Sequence, residues 1–173
     1  MRTFALATVS LLLLTSCLGE PEPIEPTAAA SPNPTAIPPE VPNAAKKASV
    51  EGQVAFVQHV VETLSFSVNA GTTEPFEALV DSSCAACADY EKKIRSDKAR
   101  SRRIDGFKWK VVEGEVTRNG EVEAKIDASA YRQTDSATGT VKVDRAKYKL
   151  GFKLRRGESG WIVEELYLPK DAA

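Results

Sequence analysis

Two cysteines three positions apart, in the stretch DSSCAACADY (residues 81–90), are the residues of this chain best suited to chemistry. A C-x-x-C pair can exchange thiol for disulfide, hold half of a metal clamp, or close a small covalent staple. Zinc needs about four ligands. The chain offers only one more cysteine, Cys17, and a single histidine, His59, so no metal site is expected. A thioredoxin-type centre wants the pair after a strand in a βαβ unit. Here short helical segments flank it, and Ala85-Ala86 stand between the cysteines. The context points to a structural disulfide, because i and i+3 in a helix's first turn lie within the usual bridging range of about 4.4–6.8 Å. Thiol–disulfide exchange by Cys84 and Cys87, and a pair of free thiols, are the alternatives.

His59 has an ordinary pKa near neutrality, but no serine motif or acidic partner at a telling spacing accompanies it. It lies beside the apolar stripe of a helix, where it can border the core or look into a pocket. No catalytic residue is assigned. Tyr90, Trp109, Tyr148 and Trp161 join His59 as candidate pocket-lining residues, against the plainer reading of core aromatics. Lys92, Lys93, Arg95, Lys98, Arg100, Arg102 and Arg103 fall close together and form a candidate anion-binding patch. At a charged membrane such a patch is worth about 1 kcal/mol per basic residue. Interleaved Asp89, Glu91, Asp97 and Asp105 give the alternative of a solvated helix end. Overall charge is nearly balanced, at 23 basic against 24 acidic residues, which speaks against general nucleic-acid binding.

The elements that must position these residues begin at Ser49, and the globular domain is expected over 49–169. Val50, Val54, Val57, Val61, Leu64 and Val68 recur at alternating steps of four and three and predict one helix, with Ser49 as N-cap and Gly71 as stop. A short second helix has Thr72 or Thr73 as cap and Pro75 in its first turn. A third is capped by Ser82 or Ser83, starts near Cys84 and carries Tyr90 and Ile94. From Phe107 the period becomes two. The first strand contains Phe107, Trp109 and Val111, with a bulge expected where Val112 breaks the alternation beside Gly114. Asn119-Gly120 predicts a hairpin turn into a strand through Val122, Ala124, Ile126, Ala128 and Ala130. A third strand over 140–155 changes parity near Arg145. The last, WIVEELYLP, is apolar on both faces, as a buried central strand would be. The expected fold is α+β, with N-terminal helices packed on a four-stranded antiparallel sheet.

The N-terminus reads as an address. Residues 1–16 have Arg2 and a short apolar core, too short to span a bilayer and of the size of a secretory signal peptide. Leu14-Thr15-Ser16-Cys17 resembles the lipobox of bacterial lipoproteins. That resemblance implies cleavage before Cys17, a diacylglyceryl group on its thiol, and export to the outer face of the bacterial cytoplasmic membrane. Such a lipid holds by about 0.8 kcal/mol per buried CH₂. Residues 17–48 then form a tether with eight of the ten prolines, whose reach is on the order of 95 Å at about 3.1 Å per residue. Residues 170–173 are a short tail.

The stretch PPEVPNAAKKASVEGQVAFVQHVVETLSFSVNAGTTEPFEALVDSSCAAC resembles actinobacterial lipoproteins classed as domain of unknown function 6318. Those proteins share a Pro-rich lead-in, an EGxxAFVxH first helix, a G(D/T)T turn and a C-x-x-C. The resemblance covers about residues 38–168 and brings no activity with it. The closing GESGWIVEELYL is similar to the last strand of nuclear transport factor 2-like domains, which implies a strongly curved, cone-like sheet enclosing an apolar pocket. Enzymes of that superfamily, such as ketosteroid isomerase and polyketide cyclases, use Asp and Tyr in the pocket. Here Asp127 and Tyr131 share a strand parity with Glu121, Glu123 and Lys125, which reads as the solvent face. The resulting expectation is a non-catalytic binding or interaction module of the cell envelope. It would attach to the membrane through Cys17, meet an envelope protein or small ligand, need no cofactor, and be a monomer or weak dimer. The alternatives are a small pocket enzyme of hydrolase or isomerase type, and a thiol–disulfide protein.

Overall fold

The first helix, α1 (Val50–Ala70), starts where a serine precedes the apolar stripe. Ser49 Oγ accepts the Gly52 N–H at 3.1 Å, satisfying one of the amides a helix start leaves open. Gly71 ends the helix at φ 66°, a left-handed conformation that glycine adopts without steric cost. The structure, a computed structural model, describes residues 37–169, which belong to the unit Ala36–Ala173. The expected signal peptide, Cys17, most of the tether and the 170–173 tail lie outside the described residues.

Phe56, Val57, Val60, Val61 and Leu64 form the buried side of α1. Val50, placed on the same stripe by its spacing, is exposed in the opening turn. The covered arc is wider than the apolar stripe, because His59, Thr63 and Ser67, at i, i+4 and i+8, are buried too. Helix α2 (Glu74–Glu77) has Thr73 at its N-cap and Pro75 in its first turn. Helix α3 (Ala85–Ala99) corrects the predicted cap. Cys84 occupies that position, and its Sγ accepts the Cys87 N–H at 3.3 Å. Ser83, one residue earlier, is engaged elsewhere: its N–H and hydroxyl both donate to Asp81 Oδ1, at 3.0 and 2.7 Å.

Seven strands follow: β1 (Arg103–Asp105), β2 (Trp109–Val116), β3 (Val122–Ala128), β4 (Tyr131–Asp135), β5 (Gly139–Val143), β6 (Ala146–Gly157) and β7 (Gly160–Tyr167). They form a four-stranded antiparallel sheet, β2-β3-β6-β7, and a separate three-stranded one, β1-β4-β5. Neither is closed or strongly curled, so the single, strongly curved sheet of the sequence reading is corrected to two open ones. The predicted second strand is the reason. It breaks after Ala128, where the Ser129 N–H donates to Lys108 O at 2.9 Å and its Oγ donates to Gly106 O at 2.8 Å. Tyr131–Asp135 is thereby free to pair with β1 and β5. The parity change near Arg145 has the same effect on the third predicted strand, dividing it into β5 and β6.

The bulge lies where the sequence puts it. The β2–β3 register shifts between Val111 and Glu113, and the extra residue, Val112, is exposed. The Asn119-Gly120 turn is closed by Thr117 N–H donating to Glu121 O at 2.8 Å. Strand β7 is not a central strand but an edge. A register shift between Lys153 and Leu154 in its partner accompanies the inward turn of both Val163 and Leu166. Its outer edge is covered by the α2–α3 connection, through Val163 N–H to Leu79 O at 3.0 Å and Asp81 N–H to Val163 O at 2.8 Å.

Packing also reaches back before Ser49. A 3-10 turn at Ala44–Lys46 buries Ala45, and the carbonyls of its last residue and the next receive donors from the β6–β7 hairpin. Arg156 donates to Lys46 O at 3.0 Å and Trp161 Nε1 to Lys47 O at 2.9 Å. Lys47 O sits so close over α1 that a Cβ on Gly52 would lie 2.1 Å from it. Gly52→Ala should therefore destabilise the fold by about 1–3 kcal/mol, as overpacking does. Gly157→Ala, whose Cβ would meet its nearest neighbour at an ordinary 3.6 Å, should cost much less. Urea unfolding followed by circular dichroism checks this, and equal midpoints for the two variants would contradict the close approach.

Candidate functional site

The last two turns of α1 set the geometry of the site. Ser65 Oγ donates to Val61 O at 3.0 Å and accepts the Trp109 N–H at 2.9 Å. Asn69, one turn on, donates from Nδ2 to Ser65 O at 2.7 Å and to Phe107 O at 2.6 Å. A polar pair at i and i+4 on a helix thus replaces the sheet partners that the entry to β2 lacks, and it fixes Phe107 and Trp109 in place.

From that anchor a run of rings extends across the domain. Phe107 packs against Tyr131 at 5.2 Å and Trp109 at 5.5 Å, and Trp109 against Tyr148 at 5.6 Å. Tyr90, from α3, meets Trp109 edge-on at 5.9 Å. Two cavities flank this last contact. One, of about 420 Å³, is lined by Val68, Ile94, Ile104, Phe107 and Tyr131 together with Lys93, Asp97, Lys98, Arg102 and Arg103. The other, of about 500 Å³, is lined by Tyr148, Leu150, Leu166, Tyr167 and Leu168. Tyr90 and Trp109 line both. Their sizes fall in the range of about 300–1,000 Å³ common for small-molecule sites.

The charges at the first cavity are mostly paired with one another. Asp97, 6% exposed, accepts from Lys93 Nζ at 2.8 Å on one carboxylate oxygen and from Arg102 at 2.7 Å on the other. Arg102 continues to Asp135 at 2.9 Å. The Ala137 N–H and then the Arg102 guanidinium hold the Asp135 carboxyl below the usual carboxylate range. Arg103 pairs with Asp105 at 2.8 Å. Tyr90's hydroxyl is pushed up, first by burial and then by the neighbouring Tyr148.

The structure therefore divides the predicted groups. Tyr90, Trp109 and Tyr148 come together at the cavities, whereas His59 and Trp161 do not line them. His59 is 2% exposed inside the core, where its Nδ1 meets no protein partner. Burial depresses its pKa, and Glu62 only partly opposes that. Trp161 serves the strap before α1, with its ring under the Arg156 guanidinium at 5.1 Å. The seven basic residues do not make one free patch. Lys93, Arg95, Arg102 and Arg103 each hold an acidic partner. Lys92, Lys98 and Arg100 hold none among the described residues, and of these Lys98 alone lines the first cavity. Strand parity puts Tyr131 on the solvent face, but the break after Ala128 carries it to the cavity wall. Asp127 stays on the outer side of β3, paired with Arg145 at 2.8 Å.

Cys84 and Cys87 lie at disulfide distance, with Cα atoms 5.2 Å apart, and both are buried. Exchange requires an incoming thiolate to reach a sulfur, so burial favours the staple over the redox centre.

Residues 25–166 match a family described as "Family of unknown function (DUF6318)". The chain belongs to this family. No curated protein matches it. Among solved structures it is similar to the intermembrane space region of the chloroplast protein ARC6, at 13% identity over 73% of this chain and 99% of that one, with a TM-score of 0.55. It is also similar to Aln2 from a Streptomyces species, at 12% identity over 72% of this chain and 95% of that one, with a TM-score of 0.44. The ARC6 likeness shows a shared fold. In this DUF6318 chain the first-helix pattern EGxxAFVxH has two physical anchors, Gly52 beneath the Lys47 carbonyl and the buried His59.

His59 gives a pH test, since it is the chain's one histidine. Its folded pKa lies below the unfolded value of about 6.5, so the unfolded chain binds the proton more readily. Stability is fully present above that value and falls as pH drops below it, by at most about 1.4 kcal/mol per pH unit. Urea midpoints at pH 7.5 and 5.5 should show this loss, and His59→Gln should flatten it. An unchanged slope in the variant would assign the loss to other groups.

Proposed function

We propose that the protein is a lipid-anchored extracytoplasmic binding domain that holds a small, largely apolar ligand between α3 and the four-stranded sheet. The observation that carries this reading is the pair of aromatic-walled cavities in which the acid and the two cations between α3 and β1, Asp97, Lys93 and Arg102, are paired with one another. A general acid or base needs a proton-transferring atom within reach of substrate, and Asp97 commits both carboxylate oxygens to Lys93 and Arg102. A wall of rings beside fixed ion pairs suits retention of an apolar ligand better than proton transfer to one. The lipobox-like LTSC before residue 18 supports anchoring, and an exported chain suits a disulfide, which persists in oxidising compartments. We read the fold as an open variant of the cone-like nuclear transport factor 2-like architecture. Its support is the order of helices before strands and the long closing hairpin of β6 and β7.

The neutral fluorescent probe N-phenyl-1-naphthylamine should bind saturably with one-to-one stoichiometry, and it should raise the melting temperature. Absence of saturable uptake would overturn the binding reading. Mass spectrometry of the mature N-terminus should find Cys17 carrying a diacylglyceryl group, and an unmodified Cys17 would remove the anchor from the proposal.

A further inference from the structure

We infer that the two cavities act as one bipartite site for an elongated anionic amphiphile, a single acyl or prenyl chain ending in one carboxylate or phosphate. This rests on the binding reading above and names its ligand class. Tyr90 and Trp109 are the wall common to both cavities. They touch edge-on, with ring planes at 86°, and Tyr90 projects from α3 with no hydrogen bond of its own among the described residues. In the inferred site, rotation of the Tyr90 side chain past Trp109 opens a passage between the cavities of about 420 Å³ and about 500 Å³.

The two ends differ in chemistry. Beyond Tyr90, the second cavity is bounded by Leu150, Leu166 and Leu168; no cation lines it, and the carboxylate of Asp89 at its edge would repel an anionic head from this end. Leu168 is 69% exposed and Tyr148 43% exposed, so this end is an open apolar groove that a chain can enter lengthwise. The first cavity carries the cations. Asp97 occupies Lys93 and Arg102, and Asp105 occupies Arg103. Lys98 is left as the lining cation without an acidic partner among the described residues. One open ammonium at one end and apolar groove at the other match one anionic head and one chain. The C-terminal dipoles of α1 and α3 oppose an anion there, but a direct charge-assisted hydrogen bond from Lys98 is the stronger effect.

Calorimetric titration of the chain carrying Cys17→Ser, so that no attached lipid competes, tests this with octanoate, dodecanoate, hexadecanoate, dodecanol and dodecyl phosphate, all below their micellar concentrations. Dodecanoate or dodecyl phosphate should bind about tenfold more tightly than dodecanol, the worth of one charge-assisted contact, and the tighter of the two anions identifies the head. Lys98→Gln should bring anion and alcohol to within about twofold. Affinity should rise from octanoate to hexadecanoate. Leu168→Asp, an exposed position that leaves the core intact, should suppress that rise. Equal binding of dodecanol and both anions, or no dependence on chain length, would overturn the bipartite site while the binding reading stands. Failure of all five together with N-phenyl-1-naphthylamine would overturn both.

Discussion

Two side chains near the end of α1 hold the backbone on which the binding surface is built. Ser65 accepts the Trp109 amide, and Asn69 donates to the Phe107 carbonyl. Both groups sit at the entry to β2, on its outer edge, so without these two side chains a partly buried donor and acceptor would be left unmet beneath α1, each costing up to about 1–3 kcal/mol. The rings of Phe107 and Trp109 inherit their position from this contact. Tyr131, Tyr148 and Tyr90 then pack on those rings. A helix thereby registers an aromatic surface that the sheet alone would leave unfixed.

A second set of contacts performs the same service for the helices. Asp81 receives the Ser83 N–H and hydroxyl and an Arg155 guanidinium, which together lower its pKa to about 2. It therefore stays ionised through all but strongly acid conditions. This carboxylate ties the α2–α3 connection to β6, while the backbone on either side of it closes the β7 edge. The cysteine pair lies just beyond, and Cys84 doubles as helix cap. The staple and the carboxylate fix one short corner, and the direction of α3 across the cavities follows from it.

What was legible in the sequence was local. Ser49 and Gly71 bound α1 because capping is decided within a few residues. Val112, Asn119-Gly120 and the parity change at Arg145 marked a bulge, a turn and a break for the same reason. What was not legible depended on partners far along the chain. Ser129 reads as one more residue of an alternating strand until its bonds to Lys108 and Gly106 are seen. Those bonds create the second sheet and carry Tyr131 from the predicted solvent face to the cavity. Trp161 reads as a pocket aromatic, but its N–H belongs to Lys47, over a hundred positions earlier. The basic run reads as a patch because its acids at Glu77 and Asp135 are remote in sequence. Lys98 was legible as a cation; its lack of an acid was not.

The strap over Gly52 has a mechanical meaning. A pull on the chain N-terminal to Ala44 reaches the bonds from Arg156 and Trp161 to Lys46 and Lys47 before it reaches α1, and so passes in part to the β6–β7 hairpin. On α1 the wall of the first cavity begins at Val68, about 24 Å along the helix from Gly52 at about 1.5 Å per residue. Force entering at the strap meets the turn end of the hairpin, at Arg156 and Trp161, whereas Tyr148, Leu150, Leu166 and Leu168 line the second cavity from its other end, so tension on the segment that leads into the fold reaches a bound ligand only along the length of β6 and β7.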